Sequence, residues 1–126
     1  MKYLCLAYHE EKELDALPES EWNALIDETC AFQEEFTKSG HFVVGQPLEP
    51  VRAAVTVRVR NGEASITDGP FAETKEQLGG FFLIEARDLN EALQVATKFP
   101  PARLGSIEVR PVRELEQMYR GAVASG

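Results

Sequence analysis

The segment from Asp68 to Gly80 holds the side chains of this sequence whose types and spacing best suit chemistry. Its opening Asp-Gly-Pro fixes a turn, because glycine allows unusual φ values, proline locks its own φ and aspartate accepts backbone N–H bonds. Acid–base chemistry can then come from Asp68 or Glu76, and Lys75 can stabilise negative charge on a ligand. We therefore identify Asp68, Lys75 and Glu76 as the candidate catalytic residues.

The same residues also have structural interpretations. Asp68 can act as a turn-capping carboxylate, and the sequence favours this role over a general base or ligand anchor. Lys75, between Glu73 and Glu76, can form ion pairs that hold the loop, although exposed pairs contribute at most about 1 kcal/mol. If the loop folds into a cleft between subunits, those charges would instead grip a polar ligand, and the sequence weighs these two interpretations equally.

Residues of the motif and of two strands complete a predicted ligand-binding set. Gly79-Gly80 would let a ligand or another backbone approach closely, and Phe71 is expected to anchor the loop in the core. Glu108 and Arg110 point away from the apolar face of the last strand, where an interfacial salt bridge is the more common outcome. The full set is Tyr8, Asp68, Gly69, Pro70, Phe71, Glu73, Gly79, Gly80, Glu108 and Arg110.

The remaining chain offers little for metal or cofactor binding, and we predict neither. His9 and His41 are too distant for a histidine-based metal site, and a surface position is expected for His9. Cys5 and Cys30 lack the spacing of a redox pair or zinc site and are expected to be small buried hydrophobic residues. The sequence has no Ser–His–Asp order and no phosphate-binding glycine loop.

Charge and hydropathy argue against two classes of partner. The net charge is −8, and ten acids stand against two bases in residues 1–36. An acidic helix face repels phosphate backbones, so no nucleic-acid partner is expected. The longest apolar run, Gly79 to Ile84, is far too short to span a bilayer, and no secretion signal precedes the first strand. The sequence therefore predicts a cytoplasmic protein without a membrane partner.

Hydrophobic periodicity predicts a single α+β domain that positions these residues. Asn61-Gly62 is a strong hairpin signal, because both turn positions need φ > 0. Without that extra hairpin the order is β-α-β-β-α-β, with two helices on one face of an antiparallel sheet, which is the ferredoxin-like fold. The predicted elements are strands 1–8, 41–44, 52–60, 63–67, 80–86 and 106–112, and helices that run from Pro18 to Gly40 and from Asp88 to Pro100-Pro101.

Each predicted helix has an apolar stripe that is expected to be buried. Phe32 falls at the margin of the first stripe, and Asp88 with Glu91 predicts an N-terminal cap for the second helix. The predicted stripes are Trp22, Leu25, Ile26, Thr29, Cys30, Gln33 and Phe36 in the first helix, and Leu89, Ala92, Leu93 and Ala96 in the second.

The apolar surface of the predicted sheet is too large for two helices to cover. The first strand and the strand through Phe81 to Ile84 are hydrophobic on both faces, whereas the helices can cover only one face. A monomer rarely exposes so large a hydrophobic patch. A second copy that packs sheet on sheet, most simply about a twofold axis, would cover it. The sequence therefore predicts a homodimer.

Three segments give this chain a resemblance to a known family. They are Met1 to Leu4, the complete motif from Asp68 to Gly80, and Gly105 to Val112. With them the chain resembles the YCII-related proteins, specifically the DGPF-domain subgroup, from Met1 to Arg113. The resemblance implies a dimeric α+β barrel of two ferredoxin-like subunits. We accordingly expect a domain over residues 1–113 and a short helical extension with a frayed end over residues 114–126.

The resemblance gives less guidance on activity. The broader family has a His–Asp pair in its cleft, and some members are linked to dechlorination or hydrolysis of aromatic compounds. At the aligned positions this chain has Thr29 and Phe99, so the pair is not carried over and catalysis stays an open question. We expect a small polar or aromatic ligand in a cleft at the dimer interface. The alternatives are a non-catalytic regulatory or interaction module, related to domains fused to sigma factors, and a dimer whose motif is purely structural.

Overall fold

Six strands and three helices form in the computed structural model, which describes residues 1–121. Three short 3₁₀ turns accompany them at Val51–Ala53, Pro100–Leu104 and Leu115–Met118. The elements in chain order are β1 (Lys2–His9), α1 (Glu11–Asp15), α2 (Glu19–Lys38), β2 (Phe42–Pro47), β3 (Val55–Arg60), β4 (Glu63–Asp68), β5 (Gln77–Glu85), α3 (Leu89–Thr97) and β6 (Gly105–Pro111).

Four of the strands form one antiparallel sheet in the order β2-β5-β1-β6. β1 lies inside this sheet and pairs antiparallel with both β5 and β6, while β2 pairs with β5 at one edge. α2 and α3 each connect two strands that are separated by another strand, as in the split β-α-β units of ferredoxin-like folds. The predicted α+β, ferredoxin-like fold is therefore confirmed, with the β3–β4 hairpin inserted between β2 and β5.

The core lies between the helices and one face of the sheet, and Phe32 is central to it. Its ring centroid is 4.8 Å from that of Phe36, 5.5 Å from Phe82 and 5.3 Å from Phe99. Edge-to-face and tilted contacts of this kind stabilise aromatic clusters beyond simple burial, by about 0.5–1.5 kcal/mol per pair. The expectation that Phe32 lies at the margin of its helix stripe is wrong, because the side chain is only 4% exposed.

The cap of α3 is confirmed, but the predicted buried stripe is partly wrong. Glu91 N–H donates to Asp88 Oδ1 at 2.9 Å, as expected for an aspartate N-cap. The buried residues are Ala92, Val95 and Ala96, whereas Leu89 and Leu93 are 48% and 44% exposed. The helix therefore turns its small alanines to the sheet, which lets the two backbones pack closely.

The β3–β4 hairpin has the predicted turn, but its apolar side chains are uncovered. Asn61 and Gly62 have φ values of 53° and 78°, so both turn positions are left-handed. Val55, Val57 and Val59 are 56%, 60% and 59% exposed. The two strands pair only with each other in the described sheets. A two-stranded ribbon is marginally stable alone, so the hairpin presents apolar surface that the protomer does not use.

Several element boundaries differ from the sequence expectations. β2 continues to Pro47, which the edge position of this strand permits, because an edge strand tolerates a missing N–H. β5 begins earlier than expected, at Gln77, and the acidic loop after β1 contains the short helix α1. Of the expected helical extension, the structure shows the 3₁₀ turn Leu115–Met118. The expected frayed end lies in residues 122–126, outside the described residues.

The sheet face opposite the helices is apolar in the middle and polar along one edge. Leu4, Leu6 and Tyr8 of β1 are half-buried, in contrast to the fully buried Tyr3 and Cys5 on the helix side. Their cross-strand partners on β5 are Leu83, Phe81 and Leu78, and those on β6 are Arg110, Glu108 and Ser106. No helix described within residues 1–121 is long and apolar enough to cross a membrane. The homodimer remains a prediction.

Glu91 links the start of α3 to the end of α2, and this contact predicts a change in acid stability. Its carboxylate accepts from Arg87 N–H at 3.0 Å and lies 3.1 Å from His41 Nε2. The Arg87 backbone bond is the largest cause that lowers the pKa of Glu91, and the contacts with His41 and with the Arg87 guanidinium lower it further. The folded chain thus binds fewer protons here than the unfolded chain, so the stabilisation is lost as pH falls through the lowered pKa.

We predict that Glu91→Gln makes the protein less sensitive to acid below about pH 4.3, the ordinary glutamate pKa. The substitution removes the titration, so the urea midpoint of the variant should fall less than that of the wild type between about pH 5 and about pH 3. Glu116→Gln, in the exposed turn Leu115–Met118, serves as the control and should follow the wild type. If the urea midpoints of the wild type and Glu91→Gln fall equally over this pH range, Glu91 does not cause the loss of stability in acid.

Candidate functional site

A cavity of about 280 Å³ lies between α2 and the helix-facing side of the sheet. This volume is near the lower end of ligand pockets, which hold roughly 300–1,000 Å³. Its wall is made mainly of apolar and aromatic residues, with His9 and a few uncharged polar side chains among them. The aromatic residues on the helix side of the sheet and on the helices are Trp22, Phe32, Phe42, Phe82 and Phe99.

α2 contributes two adjacent apolar stripes, and only one of them is buried in the core. Leu25, Phe32 and Phe36 are buried against the sheet. Trp22 and Ile26 line the cavity and are 40% and 42% exposed. The spacing of four residues between Trp22 and Ile26 puts them on the same side of the helix. The expectation of one buried stripe is therefore wrong at Trp22 and Ile26.

His9 reaches the cavity because it continues the buried alternation of β1. Tyr3, Cys5 and Ala7 point to the helix side, and His9 is the next residue on that face. Opposite it, the pairing of β1 with β5 shifts after Ala7, which pairs with Gly80, while Tyr8 pairs with Leu78. Gly79 is therefore the extra residue of a β-bulge.

The imidazole of His9 lies directly against Gly79. A Cβ atom added at Gly79 would collide with Cε1 of His9, so glycine is required for the ring to occupy this place. Gly80 meets the backbone of Gln46 in the same way, with the carbonyl oxygen 3.1 Å from an added Cβ. The close approach expected at Gly79-Gly80 is thus made by parts of the protein itself. Burial is the main cause that lowers the pKa of His9.

Thr29 and Phe99, which the resemblance aligns with a His–Asp pair, both line this cavity. Thr29 faces it from α2, and its hydroxyl donates to the carbonyl oxygen of Leu25 at 2.8 Å. Phe99 faces it after α3 and makes tilted and edge-to-face contacts with Phe82 and Phe32 of the core. Neither side chain is an imidazole or a carboxylate, so neither suits general acid–base catalysis. That the pair is not carried over remains a prediction.

The three candidate catalytic residues do not line this cavity. Asp68 is the exposed last residue of β4 and lies opposite Val55 in the hairpin. Lys75 is 88% exposed and its Nζ lies 3.7 Å from Glu10 Oε1, so its ion-pair partner is not within the motif. Glu76 Oε1 accepts a hydrogen bond from Ser106 Oγ at 2.8 Å. Their catalytic role remains a prediction.

A second depression of about 280 Å³ gathers part of the predicted ligand-binding set. Gly69, Pro70 and Glu73 line it together with Arg52. Phe71 does not anchor the loop, because it is 79% exposed. The turn is held by its backbone instead: Gly69 N–H donates to Ala54, and Thr56 Oγ1 donates to the Gly69 carbonyl at 2.8 Å.

Tyr8, Glu108 and Arg110 lie on the open sheet face, away from both cavities. Arg110 Nε is 3.7 Å from Glu108 Oε2, so these two residues form an ion pair along one strand. Of the predicted ligand-binding set, only Gly79 and Gly80 line the cavity beneath α2. His9 and Trp22 line the cavity and are absent from the predicted set, although the alternation of β1 marks His9 as facing the helix side.

The fold and the cavity define a small ferredoxin-like α+β protein with a partly open, mainly apolar site beneath its long helix. A family model for the YCII-related domain matches residues 1–116, and the chain belongs to that family. An uncharacterized protein of Rhizobium meliloti (strain 1021) is 40% identical over 114 residues, which cover 89% of this chain and 92% of that protein. The DGPF subgroup remains a prediction.

One solved structure has the same fold at low sequence identity. It is 5-chloro-2-hydroxyhydroquinone dehydrochlorinase (TftG) from Burkholderia phenoliruptrix AC1100, in complex with 2,5-dihydroxybenzoquinone. The TM-score is 0.54 and the identity 17%, over 93% of this chain and 98% of the other. The likeness establishes the fold.

The two cysteines differ in their surroundings, and we predict that they differ in reactivity. Cys5 is fully buried in β1, and burial raises its pKa to about 12, so it holds almost no thiolate at neutral pH. Cys30 is exposed and lines the cavity, contrary to the expectation that both are buried. A disulfide-exchange reagent should therefore modify one thiol in the native protein and two after denaturation. Two equally fast native thiols would contradict the burial of Cys5.

Proposed function

We propose that the protein binds a small, neutral, aromatic molecule in the cavity between α2 and the sheet. The observation that carries the proposal is a ligand-sized space with aromatic walls whose lining residues are all uncharged apart from the titratable His9 and Cys30. Such a lining favours a ligand that buries apolar surface and makes a few polar contacts. The proposal places the ligand inside one protomer, whereas the sequence suggested the dimer interface.

The electrostatics around the cavity support a ligand without negative charge. Glu11, Asp15 and Glu76 act on His9 at the end of β1, and the whole chain has a net charge of −8. These carboxylates would repel an anion that entered beside the imidazole. A neutral ring meets no such barrier. TftG, which has this fold, is named for its action on a chlorinated hydroxyhydroquinone and is in complex with a quinone. That likeness lends further support to an aromatic ligand.

Binding can be tested with the neutral probe 4-nitroanisole. Trp22 is the only tryptophan of the chain and lines the cavity, so quenching of its fluorescence reports occupancy. The bound probe should also protect Cys30 from a thiol reagent. Thr29→Phe fills the cavity and should weaken binding by about tenfold or more, which corresponds to about 1.4 kcal/mol. Ala31→Phe, on the exposed side of the same helix, is the matched control and should bind as the wild type does.

Two results would contradict the proposal. One is 4-nitroanisole binding that is equal in the wild type, Thr29→Phe and Ala31→Phe, which would place the probe elsewhere. The other is no quenching of Trp22 and no protection of Cys30 at any probe concentration. Urea unfolding of the variants shows whether a loss of binding reflects a loss of the fold.

We also propose that a second copy covers the open sheet face. The support is the row of half-buried apolar residues on β1 and β5 in the middle of that face, with the ion pair of Glu108 and Arg110 at its rim. Association would remove this surface from water. An apolar centre with a polar rim is typical of homodimer interfaces.

Light scattering should find twice the chain mass of 14.0 kDa for the wild type. Leu6 lies between Phe81 and Glu108 near the middle of the face, so Leu6→Arg would place a charge inside the interface. This variant should have the mass of a single chain. Ala31→Arg, on the exposed side of α2, should leave the mass unchanged. A wild type with the mass of one chain at all working concentrations would refute the dimer.

A further inference from the structure

The cavity contains one imidazole, and its position is fixed by the backbone around it. His9 is the last residue of β1 and lies between Gln77 of β5 and Gly105 of β6. Its ring occupies the space that the missing side chain of Gly79 leaves open. In the described part of the chain, neither ring nitrogen is hydrogen-bonded to another residue, and both therefore stay free for a ligand.

The surroundings of His9 suit an imidazole that is neutral without a ligand and takes up a proton when a ligand donates one. Burial disfavours the imidazolium and is the largest effect on the pKa of this residue. Glu11 and Asp15 of α1 and Glu76 before β5 act in the opposite direction, because negative charge stabilises the imidazolium. The other residues that line the cavity, from α2, β2 and the turn after α3, are uncharged.

Two of the three carboxylates near His9 are held in place by hydrogen bonds to other groups. Glu11 Oε2 accepts from Val51 N–H at 2.9 Å, and the Glu11 N–H donates to Gln77 Oε1 at 3.0 Å. Glu76 Oε1 accepts from Ser106 Oγ at 2.8 Å. Their negative charge is therefore fixed around the imidazole before a ligand arrives. Charge that is oriented in advance needs no reorganisation when a proton moves.

We propose that His9 is the proton acceptor of the cavity and that the ligand is a hydroxylated aromatic molecule whose ring O–H donates to it. The inference rests on the proposed function and adds the chemical class of the ligand. In the transfer, the phenolic O–H bond breaks and an N–H bond forms on the imidazole. The products are a phenolate and an imidazolium, so charge is conserved and no redox partner is needed.

The neighbouring carboxylates offset part of the cost that burial imposes on the imidazolium. The imidazolium gains from three carboxylates, and the phenolate gains from the adjacent imidazolium in a partly dry site. An aromatic ligand without a hydroxyl group would still bury its ring but would leave the His9 nitrogens unpaired. Unpaired polar groups in a desolvated site weaken binding. The cavity should therefore prefer a phenol over its methyl ether.

The test compares 4-nitrophenol with its methyl ether, 4-nitroanisole, at a pH below the pKa of the free phenol. On binding to the wild type, 4-nitrophenol should develop the absorption band of its phenolate. The imidazole nitrogens of His9 should show the NMR shifts of an imidazolium with 4-nitrophenol and not with the ether. We expect the phenol-over-ether affinity ratio to be about tenfold or more, and His9→Gln to reduce this ratio and remove the phenolate band.

Two further variants test whether the placement of the His9 ring matters and whether the effect is specific to this histidine. Gly79→Ala keeps His9 but displaces its ring, and it should also lower the ratio, which makes Gly79 a positioning residue. His41→Gln changes the other histidine, which lies in contact with Glu91 and outside the cavity, and it should leave both the ratio and the band unchanged. The NMR measurement on the wild type requires no variant to fold.

The possible outcomes distinguish this inference from the proposed function. If 4-nitroanisole binds in the cavity but bound 4-nitrophenol stays neutral, the role of His9 is refuted and the aromatic cavity stands. An unchanged ratio and band in His9→Gln has the same meaning. If neither probe binds the wild type, the proposed function fails and this inference fails with it.

Discussion

The register of β1 is the constraint on which the rest of the structure depends. This strand pairs with both β5 and β6, and its alternate side chains point to opposite faces of the sheet. Tyr3 and Cys5 point into the core, and His9 points into the cavity on the same face. A slip of one residue would exchange them with Leu4, Leu6 and Tyr8. The core, the cavity and the apolar open face therefore follow from one alignment of three strands.

The bulge at Gly79 and the two stripes of α2 turn this layered fold into one with a cavity. The extra residue in β5 is Gly79, and the imidazole ring of His9 at the end of β1 lies directly against it. On the other side, Phe32 and Phe36 hold α2 to the sheet, while Trp22 and Ile26 lie beyond the region of close packing. Leu25 also packs against the sheet, so the room beneath the helix lies on the side that carries Trp22 and Ile26.

Much of the fold could be predicted from the sequence, because the signals are local. The alternation of the strands, the Asn61-Gly62 turn and the Asp88 cap each depend on neighbouring residues, and all three are confirmed. The depth of burial on a helix depends on rotation about its axis. The sequence pattern therefore places Phe32 at the margin of its stripe, whereas the side chain is buried. It also places Leu89 and Leu93 in the core, whereas alanines of the same helix are buried there.

The candidate site was harder to predict, because conspicuous local chemistry is a weak guide to where a cavity forms. The motif from Asp68 to Gly80 concentrates charge, but its turn is held by backbone bonds and its Lys75 pairs with Glu10. The cavity gathers residues that lie far apart in the sequence, from β1, α2, β2, β5 and the turn after α3, and among them only Gly79 and Gly80 belong to that motif. No property of neighbouring residues in the sequence marks such a set, although the alternation of β1 marks His9.

The resemblance aligns Thr29 and Phe99 with a His–Asp pair, whereas the imidazole that lines the cavity comes from a different element, β1. Neither Thr29 nor Phe99 carries an imidazole or a carboxylate, but the imidazole of His9 faces the same space. Because β1 is fixed by two neighbouring strands, a base at its end is positioned as rigidly as one on α2. The proposed proton transfer uses this imidazole and the carboxylates around it. That set suits the transfer of one proton and lacks the second, paired acid of a His–Asp site.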